Sequence, residues 1–161
     1  RITLYPKMTE LIRTPHTMTL SWRYGTSWYF AEFIRALRDE RRLLGVRCPI
    51  CRRVYLPPRP VCGNCHTELR EWVEVKDRGT VRAFTIVHIP IIDPTSGQSR
   101  PTPYGMALIQ LDGADTTLNH YLAENDPAKV RIGMRVQAVW REERRGALSD
   151  IVHFVEMNNE E

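Results

Sequence analysis

Four cysteines are the residues of this sequence best suited to chemistry, and all of them fall within 18 residues. Cys48 and Cys51 form one Cys-x-x-Cys pair, and Cys62 and Cys65 form a second pair ten residues later. Two spacer residues let both thiolates of a pair reach one ion from a tight turn, and two such turns complete a tetrahedron. Four thiolates leave no open coordination position, so the pattern predicts a structural metal site. We expect zinc, with iron as the alternative, because the same ligands suit a rubredoxin-like electron carrier.

Other roles for the cysteines fit the sequence less well. A thioredoxin-type redox pair should open a helix after a strand, whereas Pro57, Pro58 and Pro60 exclude a long helix between the pairs. Two disulfides would need an oxidising compartment, and we expect a cytoplasmic location, where thiols stay reduced. The sequence has no run of about 18 apolar residues and no secretory signal, so no membrane association is predicted.

No catalytic residue is predicted. Metal binding leaves no cysteine free as a nucleophile. The sequence has no phosphate-binding glycine loop, dinucleotide fingerprint or histidine-rich metalloprotease motif. His88, His120 and His153 fall in predicted strands, where a single histidine is more often structural than catalytic. We therefore expect the chain not to be an enzyme by itself.

An amphipathic helix is predicted directly before the cysteines, over residues 27–45. Its apolar residues recur at helical spacing and form one stripe: Phe30, Phe33, Ile34, Leu37 and Leu44. Thr26 or Ser27 can cap the first turn, and Gly45 follows the end of the stripe. Residues 1–26 have little periodicity and are predicted to form an arm that docks on another chain or packs on its own domain.

The segment after the cysteines has the pattern of short strands separated by turns. Strands are predicted at 72–75, 80–88, 104–111, 117–123, 135–141 and 150–157. In the second of these, alternation places Val81, Ala83, Thr85 and Val87 on one face and Phe84 and Ile86 on the other. Five or six strands over roughly 85 residues predict a small closed barrel of the OB type. The predicted fold is mainly β, with an arm (1–26), a helix (27–45), a zinc ribbon (46–70) and an OB-fold barrel (71–157).

The two halves of the chain carry opposite net charge. Residues 1–70 contain 13 Lys/Arg and 5 Asp/Glu, whereas residues 71–161 contain 10 Lys/Arg and 14 Asp/Glu. A polyanionic partner should therefore contact the first half. Single-stranded nucleic-acid binding is the main alternative function, but it is disfavoured because an OB barrel of that kind needs a positive groove with exposed aromatic side chains.

The order of helix, four-cysteine ribbon and OB-like barrel resembles a known family, and local motifs strengthen the resemblance. The motifs are Leu44-Gly45-Val46-Arg47-Cys48-Pro49-Ile50-Cys51, Tyr55-Leu56-Pro57-Pro58-Arg59, Cys62-Gly63-Asn64-Cys65, Trp72-Val73-Glu74-Val75, Gly79-Thr80-Val81, Phe84-Thr85-Ile86-Val87 and Ile132-Gly133-Met134-Arg135-Val136. They are similar to the acyl-CoA-associated OB-fold proteins with a rubredoxin-like zinc ribbon. The resemblance covers most of the sequence from the helix to the last strand.

The resemblance implies a non-catalytic accessory subunit. Members of this family accompany thiolases, thiolase-like aldolases and acyl-CoA hydratases, and the partner supplies the catalytic residues in the thiolase cases. The arm and the Arg-rich ribbon are similar to the small subunits of benzoylsuccinyl-CoA thiolases, which belong to anaerobic toluene degradation. The implied assembly is a hetero-oligomer in which this chain stabilises a thiolase-like catalytic subunit and helps to form the CoA-ester site.

The predicted contacts for that site lie around the ribbon. Coenzyme A carries a 3′-phosphate and a pyrophosphate, which favour arginine contacts. Binding of CoA or of the partner is expected from Arg47, Arg52, Arg53, Tyr55 and Arg59. Leu56 and Pro57 are expected to pack beside Tyr55, against the partner or the pantetheine arm. The alternative is that the arginines only solubilise the ribbon or bind an acidic surface.

Overall fold

The structure, a computed structural model, describes residues 25–92 and 97–157. Within these ranges a helix is followed by strands that form two sheets. The elements are α1 (Trp28–Glu40), β1 (Leu43–Arg47), β2 (Val54–Tyr55), β3 (Glu71–Val75), β4 (Arg78–Val87), β5 (Tyr104–Leu111), β6 (Leu118–Leu122), β7 (Arg135–Trp140), the 3₁₀ turn Leu148–Asp150 and β8 (Ile151–Glu156). All of the predicted arm except its last two residues lies outside the described ranges.

The helix α1 is shorter than predicted. The Ser27 side chain caps its start by accepting the backbone N–H of Phe30 at 3.4 Å. The helix ends at Glu40 because Arg41 adopts a left-handed conformation, with φ of 56°. The last residues of the predicted helix, Leu43 to Gly45, belong to β1 instead. A Cβ at Gly45 would lie 2.9 Å from the carbonyl oxygen of Tyr55, so this glycine serves strand packing and not a helix end.

The ribbon sheet has the strand order β2-β1-β3, with both pairings antiparallel. β3, which the sequence pattern assigned to the barrel, pairs with β1 along its whole length, from Leu43 opposite Val75 to Arg47 opposite Glu71. The ribbon sheet therefore extends beyond residue 70. The alternation within a strand predicts the strand but not its partner, so the sequence could not make this assignment.

The remaining strands form the predicted OB-like closed barrel, in the order β4-β5-β6-β8-β7. β6 and β8 pair in parallel at Leu122 and Phe154, and the other barrel pairings are antiparallel. A bulge between Val81 and Ala83 interrupts the alternation of β4. Phe84 and Ile86 consequently pack on the same core as Val81, although strict alternation would place them on the opposite face.

One hydrophobic core joins the helix, the ribbon and the barrel. Phe33 of α1 and Leu56 beside β2 are buried in the same cluster as Phe154 of β8. Hydrogen bonds reinforce this contact, because Asp115 accepts the N–H of Val54 at 2.8 Å and Thr116 accepts that of Leu56 at 2.8 Å. The ribbon is therefore fixed to the barrel along its β2 edge. In the described part of the chain, no helix has the length and apolar character needed to span a membrane.

Candidate metal centre

The four cysteines converge at the end of the ribbon. Their Sγ atoms all lie within 4.8 Å of one another, and none of the four is in a disulfide. The Sγ atoms of Cys51 and Cys62 are 3.7 Å apart. A tetrahedral ion with metal–sulfur bonds of about 2.3 Å requires sulfur atoms about 3.8 Å apart. The donor set and its spacing therefore fit one four-coordinate metal ion, as predicted.

Two turns of the same geometry present the thiols. In the first, Cys48 accepts the N–H of Arg52 at 3.0 Å and donates its own N–H to the carbonyl of Arg53 at 2.9 Å. In the second, Cys62 accepts the N–H of His66 at 3.0 Å and donates to the carbonyl of Thr67 at 2.9 Å. The residue after each second cysteine is left-handed, with φ of 62° at Arg52 and 53° at His66. Each pair is thus held by its own backbone hydrogen bonds.

Tyr55 connects the ribbon core to one thiol. Its side chain is only 3% exposed, and its hydroxyl oxygen lies 3.2 Å from the Cys62 sulfur. The same hydroxyl accepts the N–H of Gly63 at 3.2 Å, so it is free to donate to a thiolate. The N–H groups of Asn64 and Cys65 also point to the Cys62 sulfur, at 3.4 and 3.3 Å. Cys62 therefore sits among donors that favour its charged form.

These surroundings shift the pKa values of Cys62 and Cys65 in opposite directions. The hydrogen bond from Tyr55, supported by the two backbone donors, lowers the pKa of Cys62 to about 6. Burial, together with the neighbouring thiols, raises the pKa of Cys65 to about 12. A cation at the centre of the cluster would favour the thiolate form of all four, so metal binding must release protons.

The predicted contact arginines surround the first turn and Tyr55. Arg47 and Arg52 share the carboxylate of Glu71, at 2.6 and 3.3 Å. Arg53 is exposed, and its hydrogen bond with Tyr55 raises its pKa. The Arg59 guanidinium lies over the Tyr55 ring, 5.0 Å from the ring centroid. Arg47 and Arg52 thus meet at Glu71, whereas Arg53 and Arg59 meet at Tyr55. The register places Arg47 and Tyr55 on opposite faces of the ribbon sheet, since they pair with Val54 and Val46.

Two of the apolar residues expected at the surface are buried. Tyr55 is 3% exposed and Leu56 is 1% exposed, whereas Pro57 is exposed. Tyr55 is buried in the ribbon core beside Cys62. Leu56 is buried in the main core that the ribbon shares with the barrel. Tyr55 can therefore influence a surface ligand through Arg53 and Arg59, which touch it, and not by direct packing.

Elsewhere in the described ranges, no group of three or more His, Cys, Asp or Glu side chains converges. His120 is buried, and its ring nitrogens bond the Leu148 carbonyl at 3.2 Å and the Tyr121 N–H at 2.9 Å. Burial lowers the pKa of His120. Asp115 and Thr116, which accept backbone N–H groups of the ribbon, belong to no sequence motif and act by position alone.

The fold and the site together define a two-part protein, a four-cysteine zinc ribbon joined to an OB barrel. The sequence matches two models of one family, the rubredoxin-like zinc ribbon domain of ChsH2 over residues 35–70 and the C-terminal OB-fold domain of ChsH2 over residues 72–141. A DUF35 domain-containing scaffold protein of Methanocaldococcus jannaschii is 34% identical over 110 residues, which span 66% of this chain and 73% of that protein. The chain belongs to the ChsH2/DUF35 family.

Other relatives extend this comparison. A chain of the Ltp2–ChsH2(DUF35) aldolase superposes with a TM-score of 0.60 and 27% identity, covering 83% of this chain and 98% of that one. A DUF35 scaffold protein of Methanothermobacter thermautotrophicus is 24% identical over 91% of this chain and 93% of its own length. A probable enoyl-CoA hydratase alpha subunit of Thermomonospora curvata is 32% identical over 64% of this chain, a match that spans only 30% of that protein.

Proposed function

We propose that this chain is a non-catalytic, zinc-binding accessory subunit of a thiolase-type enzyme that acts on acyl-CoA esters. The observation that carries the proposal is the convergence of all four cysteines on one closed site. With the four cysteines committed to metal, a thiolase-type reaction needs its nucleophile from another chain, and this agrees with a catalytic partner subunit. The chain then contributes stability and part of the CoA-ester site.

The relatives support this assignment through the enzymes with which they are associated. ChsH2 occurs with Ltp2 in an aldolase, one DUF35 relative is a scaffold protein, and another match lies within a probable enoyl-CoA hydratase subunit. A thiolase-like partner is thus the class we propose for this chain. Within that class we propose benzoylsuccinyl-CoA thiolysis as the specific reaction, which rests on the resemblance of the arm and ribbon alone.

Zinc is the metal we propose for the four cysteines, in a structural role. Zinc needs no redox partner and accepts four thiolates in a closed tetrahedron. Its contribution would be to fix the two turns, and through them the arginines of the first turn. Cys48, Cys51, Cys62 and Cys65 would hold it.

The proposed CoA surface is the arginine face beside the first turn. Arg52 and Arg53 are exposed and follow Cys51 directly, so their guanidinium groups can meet phosphates of a ligand bound at a subunit interface. Arg47 shares Glu71 with Arg52 and would position it, whereas Tyr55 holds Arg59. Arginine suits this role because its planar fork bonds phosphate oxygens in pairs.

The first experiment is to purify the tagged chain from its native host and to identify its partner and its metal together. A stoichiometric thiolase-like subunit with about one zinc per chain is expected. A chain that emerges alone, or with nucleic acid, would overturn the accessory role. A red oxidised protein that contains iron would favour the electron-carrier alternative.

A second experiment tests the arginine face in the assembled complex. Replacing Arg52 and Arg53 by Ala should raise the KM for the acyl-CoA substrate without dissociating the subunits. Arg131→Ala is the matched control, since Arg131 pairs with Glu156 at the end of the barrel. An unchanged KM with intact assembly would contradict the proposed contact and leave the accessory role standing.

A further inference from the structure

A groove of about 590 Å³ runs between α1 and the loop that precedes β8. Phe30, Ala31 and Ile34 of α1 line one side, and Leu148 and Ala147 line the other. These are apolar side chains, and none of them belongs to the ribbon or to the proposed CoA surface. The groove is therefore a separate feature of the molecule, formed where the helix meets the barrel.

The loop side of the groove is held rigidly by buried polar groups. Asp150 is fully buried, and its carboxylate accepts the N–H groups of Arg145 at 2.9 Å, Gly146 at 2.8 Å and Ala147 at 3.1 Å. The Arg144 side chain donates to the carbonyl of Arg38 at 2.7 Å and so ties the loop to the end of α1. His120, also buried, bonds the carbonyl of Leu148. The groove is preformed, because these bonds fix its shape without any ligand.

The edges of the groove are positively charged. Its lining includes Arg35, Arg38 and Arg145 and no acidic residue. Arg35 pairs with Glu32 and Arg38 with Asp39, and both of these acids lie outside the lining. No ion pair to Arg145 occurs within residues 25–92 and 97–157. The groove thus combines an apolar floor with three arginines at its rim, and one of them, Arg145, has no ion-pair partner in the described ranges.

We infer that this groove is a second docking site for the partner subunit and receives an apolar segment that carries acidic residues. The inference rests on the proposed accessory function. The groove is open to solvent along one side, which suits a segment whose outer face belongs to a folded protein, because a small ligand needs most of its surface buried. Charge complementarity requires carboxylates at the arginine rim.

The arm of this chain is a poor occupant by the same criterion. Residues 1–24 contain four Lys/Arg and one Asp/Glu, so they would bring further positive charge to a positive rim. We therefore expect the acidic residues to come from outside residues 1–24. A second copy, whose barrel half is net acidic, remains as an outcome of the test.

The test places a photo-reactive residue, p-benzoylphenylalanine, at Ala147 in the full chain expressed in its native host. The same residue at Arg82, on β4 of the barrel, is the control. After irradiation, the cross-linked peptide is sequenced. The expected result is a peptide of the co-purifying catalytic subunit that contains apolar and acidic residues, obtained from position 147 and not from position 82.

Charge reversal gives an independent measurement on the purified complex. Arg145→Glu should weaken binding of the catalytic subunit by about tenfold, whereas Arg82→Glu, with the same change in charge, should not. Cross-links only to residues 1–24, to a second copy or to nothing would overturn the docking site. Co-purification of the catalytic subunit with no cross-link and no effect of Arg145→Glu would do the same, while leaving the accessory function intact. Absence of a catalytic subunit would refute both.

Discussion

The metal end of the ribbon and the barrel are stabilised by different means. Among the residues that the structure describes, the ribbon core contains five buried ones, Val46, Cys48, Tyr55, Cys62 and Leu69, and two of these are proposed metal ligands. The main core contains nineteen buried residues of the same described ranges, most of them from the barrel. A small apolar cluster cannot offset the conformational entropy of ordering two turns, so the metal must supply much of that free energy. The barrel needs no such ion.

Different parts of the ribbon are also stabilised by different interactions. Leu43, Val54 and Leu56 belong to the main core, not to the ribbon core. The residues of the ribbon that pack on the barrel are therefore held by apolar contacts, whereas the two cysteine turns depend on the thiols. Loss of metal should thus be felt locally, in a gradient from the cysteines toward the barrel.

The largest expected effect is that of breaking the metal site. Cys62→Ser should abolish stoichiometric metal binding, which is worth about 10 kcal/mol or more in small zinc-dependent domains. Amide hydrogen exchange should then accelerate at Val46 and Leu69, while Ile109 and Phe154 stay protected. Pro49→Ala, between two ligands but not itself a ligand, is the control. Equal loss of protection in the barrel would show that the two regions unfold as one unit.

A smaller effect is expected when the thiols stay and only their hydrogen bond is lost. Tyr55→Phe removes the hydroxyl that lies 3.2 Å from the Cys62 sulfur. Loss of such a supporting bond typically costs about 10–100-fold in metal affinity. Competition with a coloured chelator measures this affinity, and cobalt substitution should show a shifted sulfur-to-metal absorption band.

Tyr104→Phe is the matched control for that substitution, because Tyr104 lies in β5 of the barrel. An affinity and an absorption band equal to those of the unmodified protein would mean that Tyr55 only fills space.

A smaller loss of stability is expected when the junction between the ribbon and the barrel is weakened. Asp115→Ala leaves the N–H of Val54 without its 2.8 Å acceptor, and loss of such a bond costs about 1–2 kcal/mol. We expect faster exchange of the Val54 amide and a lower free energy of unfolding. Asp115→Asn keeps an acceptor oxygen and should recover most of the loss. If both variants behave alike, the charge and not the hydrogen bond holds the junction.

The smallest expected effect is a pH dependence within the barrel. Burial lowers the pKa of His120 below its ordinary value near 6.5, so the unfolded chain takes up the proton first as the pH falls. The contribution of His120 to stability is therefore complete above about pH 6.5 and is lost progressively below it. Urea unfolding of the wild type and of His120→Gln, from pH 7.5 to pH 5, measures the difference.

His120→Gln should flatten the acid limb of that stability curve whatever its effect at pH 7.5. The charges of Arg100 and His153 lower the pKa of His120 further, and both residues remain in the variant. Parallel curves for the two proteins would refute the assignment.

Much of the architecture followed from local pattern. The two Cys-x-x-Cys pairs predicted the metal cluster, because ligand spacing is a property of a few consecutive residues. The strands of the barrel were found close to their observed limits, since alternation is also local. The helix end was wrong by several residues because Leu44 continues an apolar stripe at helical spacing while its backbone belongs to a sheet. Nothing within those residues reports the pairing with β3.

The sequence by itself determined the four-cysteine cluster, the type of most elements and the family, because each depends on residue type and short spacing. Only the tertiary structure decided which sheet β3 joins, that Tyr55 is buried against Cys62, and that Asp115 and Asp150 act as acceptors for distant or looped backbone groups. These features depend on residues brought together from separate parts of the chain. Three-dimensional packing sets the partners in such contacts, and a local sequence pattern does not specify them.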